Sequence, residues 1–327
     1  MNSGKSLSDL AEAVQLSTSF DVEKMVADLN RITVDHWKDP ASLPGGPPDQ
    51  DWRVLPLRSI GGSETETTPG RPGLVDYQNT PLASNTPYLA GILAQLPTEV
   101  RSARLVRLGP GGFLGEHRDR CGFDYGMLRL HIPITTDRQA VLKIDGQEHR
   151  WQPGTFWYGD FSRMHAVRHD GTDVRVHLIV DVLITPELLE LFPADFVEDL
   201  PMEEVIFAGD RTALSVADHK DMQCDFAMPK SFVEFTRGLP PAEADGDRSG
   251  ELSASIRLVD SDLVLHLDGQ PAFGLTSLGD GRYRLMAGMG DRLLHIDTGG
   301  EPAAVTLQLR HGTAIRDVVC TAERPAS

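Results

Sequence analysis

RLGPGGFLGEHRD, residues 107–119, is the stretch on which the reading of this chain turns. Gly109, Pro110, Gly111 and Gly112 predict a turn that feeds a strand rather than a helix. His117 and Asp119 close the stretch as an H-x-D pair. At the end of a strand, residues i and i+2 point the same way, so both side chains can face one ion. A third ligand must arrive from elsewhere, and His165 is available on a later strand or loop, with His149 and His169 as its rivals. Two imidazoles and one carboxylate occupy one face of an octahedral ferrous ion and leave positions open for an oxidant and a co-substrate. Arg175 follows His165 by one short strand, and a fixed guanidinium there can clamp a dicarboxylate. The constellation predicts a non-haem iron site that takes 2-oxoglutarate. H-x-D alone is a three-residue pattern that chance supplies often, so its surroundings have to carry the reading.

Two segments beyond the pair alternate cleanly. Arg129, His131 and Pro133 share one face of the first, with Leu128, Leu130, Ile132 and Ile134 on the other. In the second, Arg175, His177, Ile179 and Asp181 oppose Val174, Val176, Leu178, Val180 and Val182. Arg and His on one strand face are costly to bury unless that face lines a functional cavity. Arg175 could instead pair with Asp181 or Asp119. For Arg129, structural pairing and ligand binding are equally open, and His177 fits either a place beside the site or a packed core. Trp52 and Trp157 read as core aromatics.

Six pieces share an order and spacing that resemble a known family: DWRVLPLR (51–58), TPYLAGILAQLP (86–97), RLGPGGFLGEHRD (107–119), RLHIPI (129–134), WQPGTFWYGDFSRMHAV (151–167) and VRVHLIVDV (174–182). Together they resemble the aspartyl/asparaginyl β-hydroxylases, which include bacterial cis-proline hydroxylases, among the Fe(II)/2-oxoglutarate-dependent oxygenases. The resemblance implies a mainly β fold, a double-stranded β-helix (jelly roll, cupin-like) with flanking helices. It implies that His117, Asp119 and His165 hold Fe(II), that Arg175 binds the distal carboxylate of 2-oxoglutarate, and that O2 is consumed. Arg129 and His131 match positions close to the co-substrate or the substrate's carboxylate. Some animal members lack the carboxylate ligand; Asp119 is present here and leaves no ligand position for chloride, which implies hydroxylation rather than halogenation. The implied substrate is a small amino acid or a peptide: free proline or a related imino acid, or an aspartyl or asparaginyl residue.

The composition is compatible. The chain has 327 residues, 40% of them hydrophobic and 24% charged, enough for one large domain or a core with an appended module. Its net charge of −17 argues against nucleic acid or an anionic membrane surface as partner. No apolar run is long enough to span a membrane, and residues 1–16 lack the apolar core of a secretory signal. Cys121, Cys224 and Cys320 are few and widely spaced, as expected of reduced thiols in a cytoplasmic protein. Cys121 lies two residues past Asp119 and reads as a passive neighbour.

Asp21 predicts the start of an amphipathic helix over 22–29, residues 52–57 the first sheet strand, residues 59–73 a polar loop or lid, and Pro87 a helix through Leu96. Jelly-roll strands are expected from 103 to 184, which makes 1–184 the oxygenase domain. Residues 185–241 are expected to form a helical extension on it, and 242–250 a linker. Asp268-Gly269, Asp280-Gly281 and Gly299-Gly300 then punctuate short alternating runs, predicting hairpins and a small β module over 250–323. That module carries no ligand spacing; structure, homo-oligomerisation or docking of a larger substrate, as in natural-product biosynthesis, all fit it. Two other functions compete with the hydroxylase: a cupin-like metal-dependent enzyme that does not use 2-oxoglutarate, and a non-catalytic module that binds a small acid.

Overall fold

The computed structural model describes residues 5–40, 50–234 and 250–324. They divide into two compact units: residues up to 70, 77–123 and 127–202 form the first, and 71–76, 124–126 and 203 onward the second.

The first unit is the expected jelly roll. Its larger sheet joins β1 (Ala13–Ser19), β2 (Trp52–Ile60), β3 (Tyr77–Asn79), β4 (Val100–Leu108), β6 (Met127–Thr135), β9 (Thr155–Gly159) and β11 (Arg175–Leu183), in the order β1-β9-β6-β11-β4-β2-β3. The smaller one joins β5 (Phe113–His117), β7 (Ala140–Ile144), β8 (Gln147–His149) and β10 (His165–His169), in the order β5-β10-β7-β8. Every pairing is antiparallel. The Gly-rich stretch makes the β4–β5 turn: Gly111 adopts φ +75°, and a Cβ on Gly112 would overlap the Leu108 side chain. The central strands β6 and β11 are buried on both faces, which is why their polar residues matter so much.

Helix α1 (Val22–Leu29) starts at Asp21, whose carboxylate accepts from the Lys24 N–H at 3.2 Å. Helix α3 (Pro87–Gln95) has no side-chain cap of its own. The buried Asp28 of α1 serves instead, accepting from the N–H groups of Tyr88 (2.8 Å) and Leu89 (2.9 Å). Three features differ from what the sequence predicts. Strand β1 precedes the strand expected to be first; Val14 and Leu16 are its buried residues, and pairing with β9 makes it a strand. Helix α2 (Pro81–Asn85) is additional, and β2 runs to Ile60, into the segment expected to be polar loop.

The segment 185–241 is not one helical extension. Helices α4 (Pro186–Leu189) and α5 (Ala194–Asp199) belong to the first unit, where Phe192 and Phe196 pack on Phe123 and Tyr158. Helix α6 (Val216–Asp221) and strand β12 (Cys224–Pro229) belong to the second. Strand β12 is part of the β module, which therefore starts before the expected boundary at 250. With β13 (Glu251–Val259), β14 (Asp262–Leu267), β15 (Gln270–Gly279), β16 (Arg282–Leu285), β17 (Arg292–Asp297), β18 (Ala304–His311) and β19 (Ala314–Glu323) it closes an eight-stranded barrel in simple sequential order. Closure removes both sheet edges. The Asp268-Gly269 and Asp280-Gly281 tips have positive φ at both residues, as two-residue hairpin turns require. The expected linker lies outside the described residues except at Gly250. Among the described residues, no helix is long and apolar enough to cross a membrane.

Candidate metal centre

His117 ends β5 and His165 begins β10, and the two are direct partners in the antiparallel ladder, their ring centroids 4.1 Å apart. Asp119 lies just past the end of β5, its N–H held by the Phe161 carbonyl at 2.8 Å. One ligand-type atom from each of these three side chains lies within 4.8 Å of the others, the only such metal-sized group among the described residues. His117 Nδ1 faces the Gly115 carbonyl at 2.7 Å, and His165 Nδ1 the Arg163 carbonyl at 3.0 Å. A carbonyl only accepts, so each Nδ1 carries the proton and each Nε2 is left to present a lone pair. Burial lowers the His165 pKa, more than Asp119 raises it, which keeps that ring neutral. Burial works to raise the Asp119 pKa, but Arg129, His165 and His117 outweigh it and keep the carboxylate ionised. Two imidazole Nε2 atoms and an ionised carboxylate are the donor set that suits a ferrous ion. The rival histidines are elsewhere. His149 contacts Glu12 at 3.3 Å. His169 does not face solvent as its turn suggests; it is fully buried, Nε2 bonded to the Asp173 carbonyl at 2.6 Å.

The interior face of the larger sheet supplies the charge around this group. Arg129 is buried and does not project a free guanidinium. Its Nε meets Asp181 Oδ1 at 2.7 Å, its Nη2 meets Asp181 Oδ2 at 3.2 Å, and its Nη1 donates to Asp119 Oδ2. Asp181, with no solvent exposure, also accepts from Arg104 Nη1 at 2.8 Å and Ser102 Oγ at 2.7 Å. Burial opposes ionisation of Asp181, yet Arg129 and Arg104 hold its pKa far below the carboxylate range. Sequence reasoning misses this five-residue network: its partners lie up to 79 positions apart, and no local pattern joins them.

Arg175 stands in a different environment. It is 6% exposed, and its Nη2 donates to His177 Nδ1 at 3.2 Å; no carboxylate among the described residues pairs with it. Burial alone draws its pKa down to about 10. Neither Asp181 nor Asp119, the partners its sequence context offers, is bonded to it. Because a guanidinium only donates, His177 Nδ1 must accept, and the proton of His177 sits on Nε2. His131, His177 and Trp151 form a cluster, with ring centroids 5.4 Å (His131–Trp151), 5.7 Å (His131–His177) and 6.5 Å (Trp151–His177) apart. Burial first, then Arg175, pushes the pKa of both histidines well below the usual value, so both are neutral. His131 Nε2, His177 Nε2 and Trp151 Nε1 are buried without a hydrogen-bond partner. Trp151 stacks on Trp157 at 5.1 Å, and His131 on Phe161 at 4.7 Å. On the same sheet face, Val54, Val106 and Ile179 make an apolar cluster with Trp52 against it. Cys121 is buried, and burial pushes its thiol well above the ordinary range, so it stays protonated.

The profile of the aspartyl/asparaginyl β-hydroxylases matches residues 19–185. The chain is also similar to several solved structures. One is a 2OG-Fe(II) oxygenase-family oxidoreductase from Burkholderia pseudomallei (16% identity, 52% of this chain and 84% of that one, TM-score 0.36). Another is a prolyl-4-hydroxylase from Pseudomonas putida (17% identity, 55% and 95%, TM-score 0.34). A third is HygX from Streptomyces hygroscopicus with nickel and 2-oxoglutarate bound (10% identity, 54% and 85%, TM-score 0.34). These likenesses are distant. The profile, by contrast, spans half of the chain and every strand from β2 to β11, so the protein belongs to the aspartyl/asparaginyl β-hydroxylase family of Fe(II)- and 2-oxoglutarate-dependent oxygenases.

Proposed function

We propose that His117, Asp119 and His165 hold the Fe(II), that Arg175 takes the distal carboxylate of 2-oxoglutarate, and that the chain hydroxylates an unactivated carbon of an amino acid or amino-acid residue. The observation that carries this is Arg175: a guanidinium 6% exposed with no carboxylate among the described residues bonded to it, on the same sheet face as Arg129 and Asp181. A buried cation without an anion is strongly penalised, so the site is built for an anionic ligand. Trp151 Nε1 and His177 Nε2, both donors and both unpartnered, favour an acceptor beside Arg175, as a carboxylate is.

When bound, Fe(II) couples the oxidative decarboxylation of 2-oxoglutarate to succinate with insertion of one oxygen atom of O2 into a C–H bond. The residues of this chain bind, orient and exclude water. The Gly115 and Arg163 carbonyls fix the tautomer and rotation of the two imidazoles. Arg129 restrains one oxygen of Asp119, a role that leaves its guanidinium engaged rather than available to a ligand. His131, neutral and packed on Phe161, lies beside His177, which accepts from Arg175. By the family's substrates, the target is free proline or a related imino acid, or an aspartyl or asparaginyl residue of a peptide.

Incubation with Fe(II), 2-oxoglutarate and a panel of amino acids and peptides tests the proposal. Mass spectrometry should find one substrate gaining a single oxygen in step with succinate. An anaerobic mixture of protein, Fe(II) and 2-oxoglutarate should develop a visible charge-transfer band. Absence of that band would leave the triad or the co-substrate wrongly assigned.

A further inference from the structure

Asp181 is the most heavily bonded carboxylate of the first unit's interior, yet its hydrogen bonds go to Ser102, Arg104 and Arg129 and none to the triad. We propose that Asp181 is a positioning residue of the metal centre, holding Arg129 so that the guanidinium restrains Asp119 through a single N–H instead of chelating it. The proposal rests on the reading that the triad holds the metal.

A guanidinium can meet a carboxylate through two parallel bonds on either of two edges, Nε with Nη2 or Nη1 with Nη2. In Arg129 the first edge is given to Asp181, at 2.7 and 3.2 Å, which turns Nη2 toward Asp181. Nη1 alone reaches Asp119, and it meets Oδ2. Asp181 cannot turn away, because Arg104 Nη1 and Ser102 Oγ fix its Oδ2 at 2.8 and 2.7 Å. Arg129 is itself 8% exposed, so its charge must be met inside the protein. Without Asp181, the carboxylate left to it among the described residues is Asp119. A guanidinium closing on both oxygens of Asp119 would compete with the cation for the same lone pairs.

The test uses the metal-free full-length chain titrated with Mn(II), the free ion being followed by electron paramagnetic resonance. His117→Ala and Asp119→Ala should abolish binding; if they bind Mn(II) as the wild type does, the triad reading fails whatever Asp181 does. Asp181→Asn should raise the Mn(II) Kd about tenfold or more, the usual effect of losing a group behind a ligand. Adding Arg129→Met to Asp181→Asn should lower the Kd again, to that of Arg129→Met alone, because the competing cation is gone and Asp181 acts only through it. Ser102→Ala, which leaves Arg104 to hold Asp181, should cost less than Asp181→Asn. The proposal is overturned if folded Asp181→Asn binds Mn(II) like wild type, if the double variant binds no better than Asp181→Asn, or if Ser102→Ala alone loses as much as Asp181→Asn. If Asp181→Asn does not fold, the double variant and Arg129→Met decide. Equal Kd values support the proposal, and a further loss of about tenfold in the double variant overturns it.

Discussion

The two units of this chain both close β structure but place their buried charges differently. The second unit packs Cys224, Met228, Phe232, Ile256, Leu265, Leu294, Val305 and Leu307 into one apolar cluster, with its buried charges, Arg284, Asp291 and Arg292, at or beside β16 and β17 and outside that cluster. The first unit puts Arg104, Arg129, Arg175, His131, His177 and Asp181 on buried positions of β4, β6 and β11. An apolar interior stabilises the fold simply by leaving water, while each buried ion needs a partner to offset its desolvation. The first unit meets that need for Arg104 and Arg129 through Asp181, and gives Arg175 no carboxylate among the described residues.

Breaking the ligand group should have the largest effect. Asp119→Ala or His165→Ala should cut succinate formation more than about a hundredfold, beyond what loss of a supporting partner costs, while circular dichroism shows the fold retained. In the barrel the corresponding core change acts on stability instead. Leu307→Ala should cost about 2–5 kcal/mol of unfolding free energy in chemical denaturation and leave the KM for 2-oxoglutarate unchanged. A KM shift there would show that the two interiors are not separable. Arg175→Ala should raise the KM for 2-oxoglutarate about 10- to 150-fold, the value of the lost charge-assisted bonds, with little change in Mn(II) affinity. Turnover unaffected by that change would instead favour an enzyme that does not use 2-oxoglutarate.

The smallest effect is that of pH. His131 and His177 have folded pKa values well below 6.5, chiefly through burial. Below pH 6.5 the unfolded chain takes up protons that the folded one refuses, so stability falls as pH falls. Each group contributes a slope of about 1.4 kcal/mol per pH unit between its folded pKa and 6.5. Denaturation midpoints measured from pH 7 to pH 5 should decline accordingly, and His177→Phe should flatten the decline. An unchanged slope in that variant would place the titrating group elsewhere.

The shared direction of His117 and Asp119, and the face that Arg175 shares with Asp181 on β11, are legible in the sequence because a strand converts spacing into direction: i and i+2 face one way. The jelly roll is legible because its strands alternate and its turns carry Gly. What stays hidden depends on distant partners. Asp181 lies on the same strand face as Arg175, and nothing local says that it bonds Ser102, Arg104 and Arg129 instead. Strand β1 alternates only weakly and exists by pairing with β9. Strand β12 has Cys224, Phe226 and Met228 on one face, but six residues amid acidic and helical neighbours do not announce a barrel. His169 adjoins an Asp-Gly turn, a position that suggests exposure, whereas its ring is folded under that turn and bonded to it.

Because His117 and His165 share one rung of the ladder, interstrand hydrogen bonding sets the distance between their imidazoles. That distance is a fixed ruler, independent of the long excursion of chain between them. Resizing the excursion at residues 136–139, between β6 and β7 and away from the His117–His165 rung, should therefore leave the spacing of the pair untouched. Slipping either strand by one residue would instead swing an imidazole to the opposite side of the sheet and dismantle the centre at a stroke.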